Sequence, residues 1–144
     1  LIRKMIEEGR VDLAERYLGR PFELAGVVVH GFKNGRKLGY PTANIDVSPN
    51  LMMPHRGVYA VRVDLENGEK YCGMANIGVR PTVVKGGERT FEVNIFNFDG
   101  DLYGQRLNVR FVKFMRSEMK MSSLDELKER LASDKQACIN VLGC

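Results

Sequence analysis

The sequence predicts a mainly β protein: a small antiparallel barrel with a short helical segment before it and a helix after it. Three observations carry this. Valine-rich and alternating runs recur from Phe22 to Met115, separated by turn signals such as Asn67-Gly68. No long helical pattern interrupts them, which argues for an antiparallel rather than a crossover-built parallel sheet. The period changes only near the end, where Ser123-Leu124-Asp125-Glu126 spells a capping box ahead of an apolar stripe.

The elements follow in order. Ile2, Met5 and Ile6, then Leu13, Ala14, Tyr17 and Leu18, recur at helical spacing, with a break at Gly9 and a stop at Gly19-Arg20-Pro21. Leu24 to His30 reads as the first strand. Val58 to Leu65 places Tyr59, Val61, Val63 and Leu65 on one face and Arg62 and Asp64 on the other. Lys70 to Val79 is its hairpin partner, where Gly73 and Gly78 signal bulges or close backbone approach. Phe91 to Phe98 is a further strand, turned by Asp99-Gly100. In the last, Leu107 to Met115, Leu107, Val109 and Phe111 alternate against Asn108 and Arg110. The final helix carries Leu124, Leu127, Leu131, Cys138 and Val141 as one stripe that packs on the barrel.

The bulk numbers suit one soluble domain. There are 144 residues, 44% hydrophobic and 28% charged. The longest apolar run, Ala25 to Val29, falls far short of the ~20 residues of a membrane-spanning helix, and no secretory signal is visible. The net charge of +4 is mild and dispersed, which disfavours a nucleic-acid binder and is compatible with phosphorylated ligands. Cys72, Cys138 and Cys144 match no metal spacing, and their odd number reads as free thiols in a reducing cytoplasm. An opening without Met reads as a piece of a longer chain.

The chemistry concentrates between His30 and Gly57, where strand and helix patterns are weak and Pro41, Pro49 and Pro54 fall. A connection this long is expected to act as a lid. It contains Gly35-Arg36-Lys37-Leu38-Gly39-Tyr40-Pro41-Thr42-Ala43-Asn44. Gly35 and Gly39 permit close backbone approach, and Arg36 and Lys37 suit phosphate oxygens. Thr42 and Asn44 offer neutral oxygens of the kind magnesium accepts beside phosphates. Taken alone, Thr42 and Asn44 are turn residues; within this loop they read as a metal-nucleotide site. The segment is not a P-loop, because no Gly-Lys-Ser or Gly-Lys-Thr follows the glycines.

Glu92 is the candidate base. Period two puts it on one face with Asn94, Phe96 and Phe98. An exposed strand glutamate is the commoner role, but half burial beside phenylalanines would raise its pKa and favour proton abstraction. Arg116, Glu118, Met119 and Met121 form either a solvated connection or a loop gripping a flat ligand. Arg80-Pro81-Thr82 with Lys85-Gly86-Gly87 forms a second basic, glycine-bearing loop, either facing phosphate or, as the commoner role, a plain surface turn.

These residues together resemble the riboflavin kinase family, in particular the C-terminal module of bacterial bifunctional FAD synthetases. The resemblance spans about Leu18 to Leu142. It rests on Gly31, Gly35-Arg36, Leu38-Gly39, Pro41-Thr42-Ala43-Asn44, Gly57-Val58-Tyr59, Asn76-Ile77-Gly78, Arg80-Pro81-Thr82, Glu92, Tyr103-Gly104, and Arg116 with Glu118. It implies a six-stranded Greek-key barrel over residues 19–144, with residues 1–18 as the tail of a preceding FMN adenylyltransferase domain. It implies cytoplasmic transfer of the ATP γ-phosphoryl group to the ribityl 5′-hydroxyl of riboflavin, giving FMN. Gly31, Arg36, Gly39, Thr42 and Asn44 would bind ATP, Thr42 and Asn44 would also hold Mg2+, Glu92 would act as base, and Arg116, Met119 and Met121 would flank the flavin. No nucleic-acid or membrane partner is implied. The competing readings are a catalytically weak flavin- or nucleotide-binding module and an OB-like nucleic-acid-binding barrel; the latter would want aromatics interleaved with basic residues on one sheet face.

Overall fold

The structure is a computed structural model that describes residues 2–29, 42–46, 53–80, 88–98, 100–117 and 123–144. Two short helices, α1 (Ile2–Glu7) and α2 (Val11–Leu18), precede six strands: β1 (Phe22–Val29), β2 (Ala43–Asp46), β3 (Gly57–Asp64), β4 (Lys70–Arg80), β5 (Glu88–Ile95) and β6 (Arg106–Arg116). Helix α3 (Leu124–Leu142) follows. The strands close into a barrel in the order β1-β2-β5-β4-β3-β6, and every pair is antiparallel. Strands β3, β4 and β5 run on consecutively and β6 returns beside β3, which is the Greek-key order. β2 lies inside the stretch whose strand pattern was weak. It is four residues long, too short for alternation to register.

Alternation sorts the side chains. Tyr59, Val61, Val63, Ala75, Ile77, Phe91, Val93, Leu107, Val109 and Phe111 fill the interior, nearly all without exposure. Tyr59 meets Phe111 and Phe114 edge-on, and its hydroxyl donates to the His55 carbonyl at 2.5 Å. The helices α1 and α2 are packed onto this body: Val11 joins the barrel core, and Met5, Ile6 and Ala14 cluster with Phe22.

Helix α3 covers part of the outer surface. Ser123 caps it by accepting from the Glu126 amide at 3.1 Å, as the capping box requires. Cys138 and Leu142 pack on Val58, Ala60, Met74 and Phe96, with Leu131 and Ile139 beside them. Val141 does not join this stripe. It is 37% exposed, and Leu142, one residue on, takes the inward place. Arg62 of β3 reaches under the helix end and donates to the Leu142 carbonyl at 2.8 Å.

Three more expectations need correction. The strand containing Glu92 ends at Ile95, and Asn97 takes a left-handed backbone (φ 58°). Phe96 therefore sits under α3, whereas Phe98 turns back toward the barrel core and meets Tyr71 edge-on, so Phe98 does not share the face of Glu92. The thiols are not all free: Cys72 on β4 is disulfide-bonded to Cys144, and only Cys138 remains a thiol, buried. Seventy-two positions separate the bonded pair, and only docking of α3 brings the two together.

β6 departs from simple alternation in a way that matters for the outer surface. Its register against β3 shifts between Val58 and Tyr59 and again between Ala60 and Val61. The pairing runs Val61↔Phe111, Ala60↔Lys113, Tyr59↔Phe114 and Val58↔Arg116. Each shift is a bulge in which two residues of β6 oppose one of β3. Without the bulge between Val58 and Tyr59, Arg116 would share the inward side of Phe114. With it, Arg116 faces outward.

Candidate active site

The pairing registers place one outward residue per strand along a single row. Asn44 of β2 is the direct partner of Glu92 on β5. Glu92 is in turn opposite Asn76 of β4, Asn76 opposite Val58 of β3, and Val58 opposite Arg116 of β6. Directly opposed residues share a face with Cβ atoms roughly 4.5–5.5 Å apart. The outward direction is fixed by the neighbours: Val93, Ala75 and Ile77, which flank the row in sequence, are sealed in the barrel at 0% exposure. A one-residue slip would bring Glu92 into the core, so burial of Phe91 and Val93 locks the carboxylate outside.

Glu92 and Asn44 are both half-buried, as is Thr42 two residues before Asn44. The row passes from Val58, packed beneath α3, to Asn76, which is exposed. The sequence thus brings together a carboxylate and two neutral amides on adjacent strands, with a hydroxyl residue just beyond the strand end.

Arg116 closes the row, and its guanidinium is fixed by α3. Its Nε donates to Asp134 Oδ1 and Oδ2 at 2.9 and 3.1 Å, and its Nη2 donates to Oδ2 at 2.6 Å. Its Nη1 donates to the Ser117 carbonyl at 3.0 Å. The side chains are 19% and 7% exposed, so the pair is largely shielded from water. The fork leaves donors on both terminal nitrogens, so Arg116 is at once a tie between β6 and α3 and a cation held still beside the row. Gly57 makes this approach possible. A Cβ there would lie 2.5 Å from the Arg116 carbonyl oxygen and 2.5 Å from a Phe114 ring carbon, and its φ of 148° is a glycine conformation.

Asn44 and Glu92 are thus direct neighbours, with Thr42 just ahead of Asn44, whereas Arg116 lies three strands from Glu92 around the closed barrel. Gly31, Arg36, Gly39, Met119 and Met121 lie outside the described residues, as does most of the expected lid. Two participants escaped the sequence reading. Asn76 stands there only as part of a motif, and Asp134 is not named. A buried acid on the core-facing side of α3 was the signal for Asp134, since it falls at helical spacing between Leu131 and Cys138.

Comparison with known proteins decides the family. Residues 18–142 match Flavokinase, the riboflavin kinase family. The chain belongs to the riboflavin kinase family. It is 40% identical over 140 residues to the bifunctional riboflavin kinase/FMN adenylyltransferase of Bacillus subtilis, covering 96% of this chain and 44% of that protein. The chain therefore spans less than half the length of that relative. Among solved structures, one described as a macrolide-efflux protein from Streptococcus pneumoniae superposes with a TM-score of 0.91 at 40% identity, covering 96% of this chain and 45% of the other. Riboflavin kinase from Trypanosoma brucei superposes with a TM-score of 0.59 at 28% identity, covering 85% and 80%. Among the described residues, no helix is long and apolar enough to cross a membrane.

Proposed function

We propose that this chain phosphorylates riboflavin at the ribityl 5′-hydroxyl with ATP as donor, giving FMN and ADP. It does so as the kinase module of a bifunctional protein whose preceding domain adenylylates FMN. Residues 19–144 are the kinase module, and residues 1–18 join it to that domain. The supporting observation is the outward row of β2, β5 and β4, in which Glu92 is flanked by Asn44 and Asn76, with Thr42 two residues before Asn44.

Phosphoryl transfer needs a positioned donor, a positioned acceptor and a place for the acceptor's proton. Thr42 and Asn44 hold the phosphate end of ATP beside β2. Glu92 takes the proton from the 5′-hydroxyl as its oxygen bonds to the γ-phosphorus. The bond from that phosphorus to the bridging oxygen breaks, and ADP leaves with the electron pair. Arg116, held by Asp134, flanks the flavin together with Met119 and Met121. Gly31, Arg36 and Gly39 contribute the remaining nucleotide contacts.

The donor set fits Mg2+. Among the described residues no group of three or more His, Cys, Asp or Glu could cage a metal. Thr42 and Asn44 are neutral oxygen donors, suited to an ion that keeps several waters and draws its charge balance from phosphates. When bound, it neutralises charge developing on the phosphate oxygens. ATP supply places the reaction in the cytoplasm, where the Cys72–Cys144 bond would face a reducing pool.

The test is incubation of the full-length protein with riboflavin, ATP and Mg2+, followed by chromatography. FMN and ADP in equal amounts support the reading. Flavin and nucleotide binding without product would leave a binding module instead.

A further inference from the structure

Glu92 has a direct partner on each flanking strand: Asn44 on β2 and Asn76 on β4. Asn76 is exposed, whereas the next residue, Ile77, is sealed in the barrel core. That burial pins the strand, so Asn76 stays on the outer surface beside the carboxylate. Asparagine is disfavoured within strands, and Asn76, being exposed, fills no part of the core. Packing gives no reason for an amide there.

The order of the row assigns it a role. Thr42 and Asn44 lie on the β2 side of Glu92, where the phosphates are held. In phosphoryl transfer the attacking and leaving oxygens sit roughly in line on opposite sides of phosphorus. The acceptor alcohol therefore approaches Glu92 from the side away from β2, which is the β4 side occupied by Asn76. An amide offers both donors and an acceptor, the equipment for gripping a hydroxyl. Neighbouring strands are roughly 4.8 Å apart, so one polyol can meet Glu92 and Asn76 through hydroxyls on different carbons.

We propose that Asn76 binds the polyol chain of the acceptor, hydrogen-bonding a hydroxyl other than the one phosphorylated, and so sets the terminal hydroxyl against Glu92. This deepens the kinase reading of the same site and rests on it. Asn76 thereby selects a polyhydroxylated chain over a plain alkyl alcohol.

The experiment compares riboflavin with a flavin whose side chain is 5-hydroxypentyl, which keeps the terminal hydroxyl and lacks the internal ones. Both are assayed with the full-length protein and with Asn76→Ala and Asn76→Ser. In the unsubstituted protein, kcat/KM favours riboflavin. Asn76→Ala should lower kcat/KM for riboflavin about 10-fold, the loss of one substrate hydrogen bond. It should leave the hydroxypentyl flavin and the KM for ATP within about twofold, inside the scatter of independent sites. Asn76→Ser, which keeps a hydroxyl, should recover part of the preference and carries the test if the alanine variant does not fold. Equal losses with both flavins, a rise in the KM for ATP alone, or unchanged kinetics would overturn the proposal. Absence of FMN formation by the unsubstituted protein would instead overturn the kinase reading itself.

Discussion

Asn44 and Glu92 stand directly opposite each other on β2 and β5, so an amide of the Pro41-Thr42-Ala43-Asn44 motif is the cross-strand neighbour of the one strand carboxylate singled out as a base. The two are 48 positions apart in sequence and meet only because β2 inserts between β1 and β5. That insertion makes a residue of the loop motif and a strand residue direct neighbours.

Thr42→Ala and Asn44→Ala should each weaken Mg2+-dependent ATP binding by about 10-fold, the scale of one lost polar contact. Titration calorimetry with and without Mg2+ measures it. Both side chains are half-buried on the outer surface, so melting temperatures should move little. ATP affinity unchanged in the presence of Mg2+ would contradict the assignment.

Asp134→Ala should destabilise the protein by about 3 kcal/mol, because it leaves the Arg116 guanidinium shielded and without its carboxylate. Arg116→Ala strands the carboxylate in the same way. The double variant should cost less than the sum of the two, and urea titration of the four proteins measures the coupling. Additive costs would mean that the contact contributes little.

Cys144→Ser should lower stability without added reductant by at most about 4 kcal/mol, the chain-entropy value for a loop of 72 positions. With reductant present, the variant and the parent should melt together. Peptide mapping without reductant should recover Cys72 linked to Cys144; recovery of both as free thiols would contradict the pairing.

Burial pushes the Cys138 thiol up to about 12 from 9.0, with the Asp134 carboxylate adding to the shift. The folded state therefore keeps a proton that the unfolded chain releases. This contribution to stability is complete below about pH 9 and fades as pH rises from 9.0 to about 12. Urea titrations at pH 8 and pH 10 should show a smaller alkaline loss in Cys138→Ala than in the parent. Equal losses would contradict it.

Much of this was legible in the residues. The alternation of Tyr59, Val61, Val63 and of Leu107, Val109, Phe111 fixed two strands and their inward faces, and Ser123 with Glu126 fixed the start of α3. What stayed hidden depends on partners distant in sequence. β2 is too short to show a period. The bulges of β6 arise from its fit to β3, and they decide which way Arg116 points. The Cys72–Cys144 pairing and the role of Asp134 exist only once α3 lies on the sheet. Motif and strand pattern singled out Thr42, Asn44 and Glu92, while register supplied the pairing of Asn44 with Glu92.

The central claim is that Glu92 draws the proton from the acceptor hydroxyl. Its most direct measurement is single-turnover FMN formation by Glu92→Gln, with ATP affinity measured on the same protein. Transfer should fall by about 100-fold or more, the range for a lost general base, while ATP binds as before. FMN formation near the parent rate would contradict the account.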